Sequence, residues 1–102
     1  MKRIMVRYKV KAGRALENER YISAVFEELE RERPEGLRYA SFKLDDGRSF
    51  VHIASLERSD GRNPLLDLAS FQAFTAGIRD RVEEAPVTVE LNEIASYEMF
   101  GP

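Results

Sequence analysis

Between residues 4 and 10 the chain alternates, with Ile4, Val6, Tyr8 and Val10 on one side and Met5, Arg7 and Lys9 on the other. Period two with β-branched and aromatic residues predicts a half-buried strand, closed by Lys11-Ala12-Gly13. From Arg14 to Arg33 the period lengthens to that of a helix. Ala15, Asn18, Ile22, Val25, Phe26 and Leu29 share one stripe, and Glu17, Arg20, Glu27, Glu28 and Arg31 lie outside it. The charged run from Glu27 to Arg33 reads as a solvated helix face. Pro34 stops the helix and Glu35-Gly36 turns the corner.

Two strand-like runs follow, 37–44 and 48–56, with Asp46-Gly47 between them, the preferred pair for a two-residue type I′ hairpin turn. That turn sets Asp45 opposite Arg48, Phe42 opposite Val51, Ser41 opposite His52 and Ala40 opposite Ile53. One face then carries Ala40, Phe42, Val51 and Ile53, read as plain core. The other carries Tyr39, Ser41, Phe50, His52 and Ala54, apolar with polar groups set into it. Residues 57–66 form a loop marked by Asp-Gly and Asn-Pro. A second helix is predicted over 68–83, with Asp67 as N-cap and Phe71, Phe74, Ile78 and Val82 as its apolar stripe. Gly77 inside it reads as local weakness or as close packing against a neighbour. After Pro86 the chain alternates again to Met99. A bulge or a change of environment is expected near 92–93, where Glu93 and Ile94 break the rows.

The order β-α-β-β-α-β in one stretch of 1–102 predicts a single ferredoxin-like α+β domain, a four-stranded antiparallel sheet with two helices on one face. Two helices cover one face, yet Met5, Phe50, Ile94 and Phe100 sit opposite Ile4, Val51, Leu91 and Met99, so both faces look apolar. A large exposed apolar face is rare in monomers. The expected remedy is a homodimer packed sheet against sheet, with a long last strand reaching across the partner. Arg7, on the face opposite Ile4, reads either as an interface salt bridge, to Glu93 of either subunit, or as a site of anion capture.

Composition narrows the chemistry. The chain has 102 residues, 43% hydrophobic, with a net charge of −2, one His, no Cys and no Trp. Balanced, interspersed charge gives no reason to expect nucleic acid or an anionic membrane as partner. Without cysteine there are no disulfides, thiolate metal sites or cysteine nucleophiles, and one histidine cannot build a two-His metal motif. The charged N-terminal segment has no signal-peptide core and no run approaches a membrane span, so a cytoplasmic protein is expected. Gly13, Gly47 and Gly61 make no phosphate loop, and the loop aspartates lack calcium-loop spacing.

The first strand ending in Lys-Ala-Gly, the long helix from Glu17-Asn18-Glu19-Arg20 through Phe26-Glu27-Glu28-Leu29, the hairpin, the Phe71-Gln72-Ala73-Phe74 helix and the final strand together resemble the antibiotic biosynthesis monooxygenase-like group of the dimeric α+β barrel superfamily. The resemblance spans essentially the whole chain and rests on order and spacing. It implies a homodimer with a pocket in each subunit between helices and sheet, and cofactor-free oxygenation of polyphenolic or quinol compounds, in a group many of whose members have no established activity. Enzymes of the group commonly set a Trp beside the substrate; this chain has none.

Asn18 sits in the middle of an apolar stripe, where a buried amide must find partners or cost about 1–3 kcal/mol. It reads either as a structural amide or as one that orients a substrate oxygen or dioxygen. His52 is likewise either a satisfied core residue or a base working near neutral pH. Deprotonating a phenol so that its carbanion form can pass an electron to dioxygen needs one base in a dry aromatic pocket, with no metal or cofactor. The candidate catalytic residues are therefore His52 and Asn18. Tyr39 and Ser41 beside His52, with Phe71 and Phe74 as walls, are the candidate substrate-binding residues. A non-enzymatic homodimer of the same fold, binding a small ligand or serving assembly, is the alternative. A filled pocket favours it, and open volume favours catalysis.

Overall fold

The computed structural model of the chain describes residues 1–99; Phe100, named above, lies outside them. Strand β1 (Lys2–Val10) leads into helix α1 (Ala15–Glu32), and the hairpin strands β2 (Leu37–Lys43) and β3 (Ser49–Leu56) follow. A 3-10 turn (Pro64–Asp67), two short helices α2 (Ala69–Ala76) and α3 (Ile78–Arg81), and strand β4 (Val82–Leu91) complete the order. The sheet runs β2-β3-β1-β4 with every neighbouring pair antiparallel, the ferredoxin-like arrangement expected from the sequence.

The alternation of β1 sends Tyr8 and Val10 inward, where they join Val25, Phe50, Leu65, Leu68 and Phe74 in the buried core. Helix α1 buries Asn18 and Val25 and ends on Arg33 in the left-handed region (φ 44), whose N–H reaches the Leu29 carbonyl. The hairpin keeps the expected register, Phe42 opposite Val51 and Ser41 opposite His52. Its tip differs. Only Gly47 has positive φ, Gly47 N donates to Leu44 O at 3.0 Å, and Leu44 pairs with Ser49 across a four-residue loop. The Asp46 carboxylate accepts from Arg48 N (2.9 Å), Ser49 N (2.7 Å) and Ser49 Oγ (2.5 Å), which favours a type I turn over the type I′ form. Those bonds, Ser49 Oγ first, hold its carboxyl well below the usual range.

Three further differences shape the site. The second helix is not continuous over 68–83, and Asp67 lies in the 3-10 turn rather than capping it. Leu68 precedes α2 with no side-chain cap of its own. Glu28 supplies one from α1, accepting from Ser70 N (2.9 Å) and Ser70 Oγ (2.6 Å), so this residue is more than a solvated charge. The break falls at Gly77, where an added Cβ would lie 2.8 Å from Arg81 Nη1, a contact that fits the close-packing reading of this glycine.

β4 begins at Val82 and ends at Leu91, with register shifts opposite Arg7–Val10 rather than at 92–93. Pro86, without an N–H, lies in the shifted stretch. Residues 92–99 are not a strand, because β1 begins at Lys2 and Arg3 already pairs with Leu91, leaving the tail no neighbour. Within the chain Glu93 pairs with Arg3 rather than with Arg7. The face carrying Ala40, Phe42, Val51 and Ile53 is also not core within the chain. It turns away from the helices, with Phe42 49% exposed, and Val87 and Val89 continue it at 61% and 39%. Among the described residues no helix is long and apolar enough to cross a membrane.

Candidate active site

His52 stands in the middle of β3, between Ser41 on β2 and Val6 on β1. Because side chains two apart share a face, Tyr39 and Ser41 of β2 and Tyr8 of β1 rise beside it toward the helices. His52 is 5% exposed. Its ring stacks between those of Tyr8 (5.4 Å, 11°) and Tyr39 (5.9 Å, 15°) and meets Phe74 edge-on at 5.6 Å. Phe50 continues the file beyond Tyr8 and Phe26 beyond Tyr39, at 5.7 Å and 5.3 Å.

Both imidazole nitrogens are engaged. Nε2 lies 2.7 Å from Tyr8 Oη. Nδ1 lies 2.6 Å from Ser41 Oγ and 3.1 Å from Tyr39 Oη. Behind Tyr8, Asn18 Nδ2 donates to the same phenol oxygen at 2.8 Å, and Arg81 Nε donates to Asn18 Oδ1 at 3.1 Å. Arg81 is 1% exposed, gives Nη2 to the Phe74 carbonyl at 2.9 Å and lays its guanidinium over the Tyr21 ring at 4.2 Å.

Burial sets the proton affinities. It lowers His52 to about 4, so the ring is neutral at physiological pH. Desolvation also pushes the Tyr39 phenol up to about 12, and raises the Tyr8 phenol against the opposing bond from Asn18. Every ionisable group of the cluster therefore rests in its uncharged form, apart from Arg81. Desolvation lowers that guanidinium as well, but a guanidinium keeps its proton in proteins.

Above this cluster, between sheet and α2–α3, a cavity of about 170 Å³ opens. Tyr8, Tyr39, His52, Phe71, Phe74 and Ile78 line it, with Pro86 of β4 at one side. Of the residues named from the sequence, His52, Tyr39, Phe71 and Phe74 meet at its wall. Asn18 and Ser41 do not line it; they stand one hydrogen bond behind, on Tyr8 and His52. Two members escaped sequence reasoning. Tyr8 was visible as an inward position of β1. Arg81 lies seven residues after Phe74 and three after Ile78, so its spacing put a charge on the apolar face of the helix. Among the described residues no group of three His, Asp or Glu side chains is placed to hold a metal ion.

No family model matches the sequence, and no curated protein is similar to it in sequence. Solved structures do share its fold. A Nitrosomonas europaea protein provisionally named an antibiotic biosynthesis monooxygenase superposes with a TM-score of 0.76 at 18% identity, over 93% of this chain and 100% of that one. SnoaB, a cofactor-independent oxygenase from Streptomyces nogalater, gives 0.68 at 16% identity over 93% and 94%. A further Nitrosomonas europaea protein, of unknown function, gives 0.73 at 15% identity over 94% and 91%. At these identities the likeness is one of fold, and the fold is that of the antibiotic biosynthesis monooxygenase-like proteins the sequence resembles.

Proposed function

We propose that this chain is a homodimeric, cofactor-independent oxygenase of that family, acting on a single-ring phenol or quinol held against His52. The observation that carries the reading is the joining of an imidazole, bonded to two phenols, to an open aromatic-walled cavity. Its size supports a small substrate: an apolar cavity of about 150 Å³ is enough to bind benzene. The 170 Å³ here accommodates one ring and its substituents. Phe71 and Phe74 wall this volume rather than fill it, which favours catalysis over the purely structural alternative.

In the proposed reaction the substrate hydroxyl gives its proton to Tyr8 Oη as the Tyr8 proton passes to His52 Nε2. Burial makes a lone imidazolium costly, but here it forms beside the new substrate anion, so opposite charges appear together. The electron-rich anion passes one electron to dioxygen. The resulting radical and superoxide combine at a ring carbon bearing hydrogen. The peroxide anion takes back the proton held on His52, and loss of water from the hydroperoxide leaves a carbonyl there, one oxygen atom going to product and the other to water. The uncharged aromatic pocket keeps water from the radical pair.

The outward sheet face supports the homodimer. Phe42, Val51, Ile53, Met5, Val87 and Val89 form an apolar surface, with the exposed Arg7 set between Val51 and Val87, that a two-fold copy would cover. One domain of 1–102 then supplies one complete cavity per subunit, and a cytoplasmic setting suits a chain without cysteine.

The test is dioxygen uptake with a panel of monocyclic hydroquinones, wild type against His52→Ala. A positioned base contributes about 10²–10⁴-fold, and the variant should lose that much while still binding the ring. Uptake no faster than autoxidation with every compound would sink the oxygenase reading. Ring binding without uptake would favour the ligand-binding alternative.

A further inference from the structure

The buried guanidinium of Arg81 is the one charge in the cluster, and the proposed reaction does not use it. Among the described residues no carboxylate pairs with it, and its Nη1 has no hydrogen-bond partner. Gly77 leaves the space for that nitrogen, where a Cβ would approach to 2.8 Å. A guanidinium only donates, so the Asn18 oxygen must be the atom facing Arg81 Nε. The amide nitrogen is thereby turned toward Tyr8, and an amide nitrogen can only donate to the phenol oxygen. Of the two groups bonded to the phenol oxygen only His52 Nε2 can take the single Tyr8 proton, and with that proton placed there Nε2 is a bare acceptor. A neutral imidazole without a proton on Nε2 carries it on Nδ1, facing the oxygens of Ser41 and Tyr39.

We infer that Arg81 and Asn18 are positioning residues that fix the tautomer of His52, holding Nε2 unprotonated and ready to receive the Tyr8 proton. The direction of four successive hydrogen bonds is dictated from one end by a group that cannot accept. Arg81 lies 63 residues from Asn18 and 29 from His52 in the chain, so α3 sets the state of a base on β3 through α1 and β1. The consequence for turnover rests on the reading proposed above; the tautomer does not.

The experiment is ¹⁵N NMR of protein labelled at histidine. The chain has one histidine, so a single ring reports without assignment. Wild type should show a pyridine-type Nε2 and a pyrrole-type Nδ1 at neutral pH. Asn18→Asp replaces the amide with a carboxylate that accepts from Arg81 and also from Tyr8. Tyr8 then turns its proton away from the imidazole, and His52 should invert to the Nε2–H form, with dioxygen uptake falling at least tenfold. If Asn18→Asp does not fold, Arg81→Met frees the Asn18 amide to rotate, and the spectrum should show both tautomers. An Nε2–H ring in wild type, or an unchanged ring in a folded Asn18→Asp protein, would overturn the inference. The predicted tautomers without any uptake by wild type would uphold it and remove the oxygenase reading alone. Uptake by a wild type carrying Nε2–H would do the reverse.

Discussion

The two faces of this sheet are built from the same strands and do opposite things. Toward the helices, alternate residues of β1, β2 and β3 place Tyr8, Tyr39, Ser41, Phe50 and His52 in a dry, hydrogen-bonded file. On the other side their neighbours Met5, Val51, Ile53, Ala40 and Phe42 make no such bonds and stay partly open. The difference follows from what each face needs. Buried polar atoms are costly when unpaired, and the hydroxyls and ring nitrogens of this file are all bonded, so the inner face is specified atom by atom. An apolar face needs only shape and area, which suits association with a copy of itself.

The largest effect should come from one charge placed on each face in turn. Phe50 is 1% exposed and Phe42 49%. Phe50→Glu buries an unpaired carboxylate in the core and should remove about 4 kcal/mol or more of stability, enough to unfold most of the protein by circular dichroism. Phe42→Glu should leave the chain folded but halve its mass by light scattering, since the two-fold sets the new charges into one interface. A folded Phe50→Glu protein, or a Phe42→Glu protein that stays dimeric, would erase the distinction between the faces.

A smaller effect should appear on acidification. The His52 pKa drops from 6.5 to about 4 on folding, so between these values the unfolded chain binds the extra proton. Stability from this residue is complete above about pH 6.5 and is lost as pH falls toward 4. The loss should reach about 3 kcal/mol in urea titrations, measured as the difference between wild type and His52→Gln so that the carboxylates cancel. Parallel curves for the two proteins would mean that His52 is not held in a dry site.

Smaller still, Tyr8→Phe keeps the packing and removes one hydroxyl. It strands Asn18 Nδ2 and His52 Nε2, and should cost about 1–3 kcal/mol by the same titrations. A neutral Tyr8→Phe substitution would show that water replaces the hydroxyl, and that the inner face is less tightly specified than its hydrogen bonds indicate.

Much of this was legible from local pattern. Alternation in β1 and across the hairpin placed His52 opposite Ser41 and beside Tyr39, and it separated the two faces before any coordinate. A polar residue on the α1 stripe pointed to Asn18. What escaped was non-local. Gly77 costs a helix only about 1 kcal/mol, too little to announce the break that Arg81 spans by its bond to the Phe74 carbonyl. Arg81 gives no local sign of burial beyond its spacing, since a buried guanidinium is rare without a carboxylate. Glu28 caps a helix 40 residues away, a pairing no window along the chain contains. The apolar alternation beyond Leu91 suggested more strand, but pairing stops where β1 begins.

The central claim is that the inner face passes a proton from a bound ring to His52 and so lets that ring react with dioxygen. The direct measurement is mass spectrometry of the product formed under ¹⁸O₂ from whichever monocyclic hydroquinone the wild type consumes. One ¹⁸O atom per product molecule, formed at least a hundredfold more slowly by His52→Ala, is the predicted result. Product carrying no ¹⁸O, or labelled at an equal rate by His52→Ala, would contradict the account.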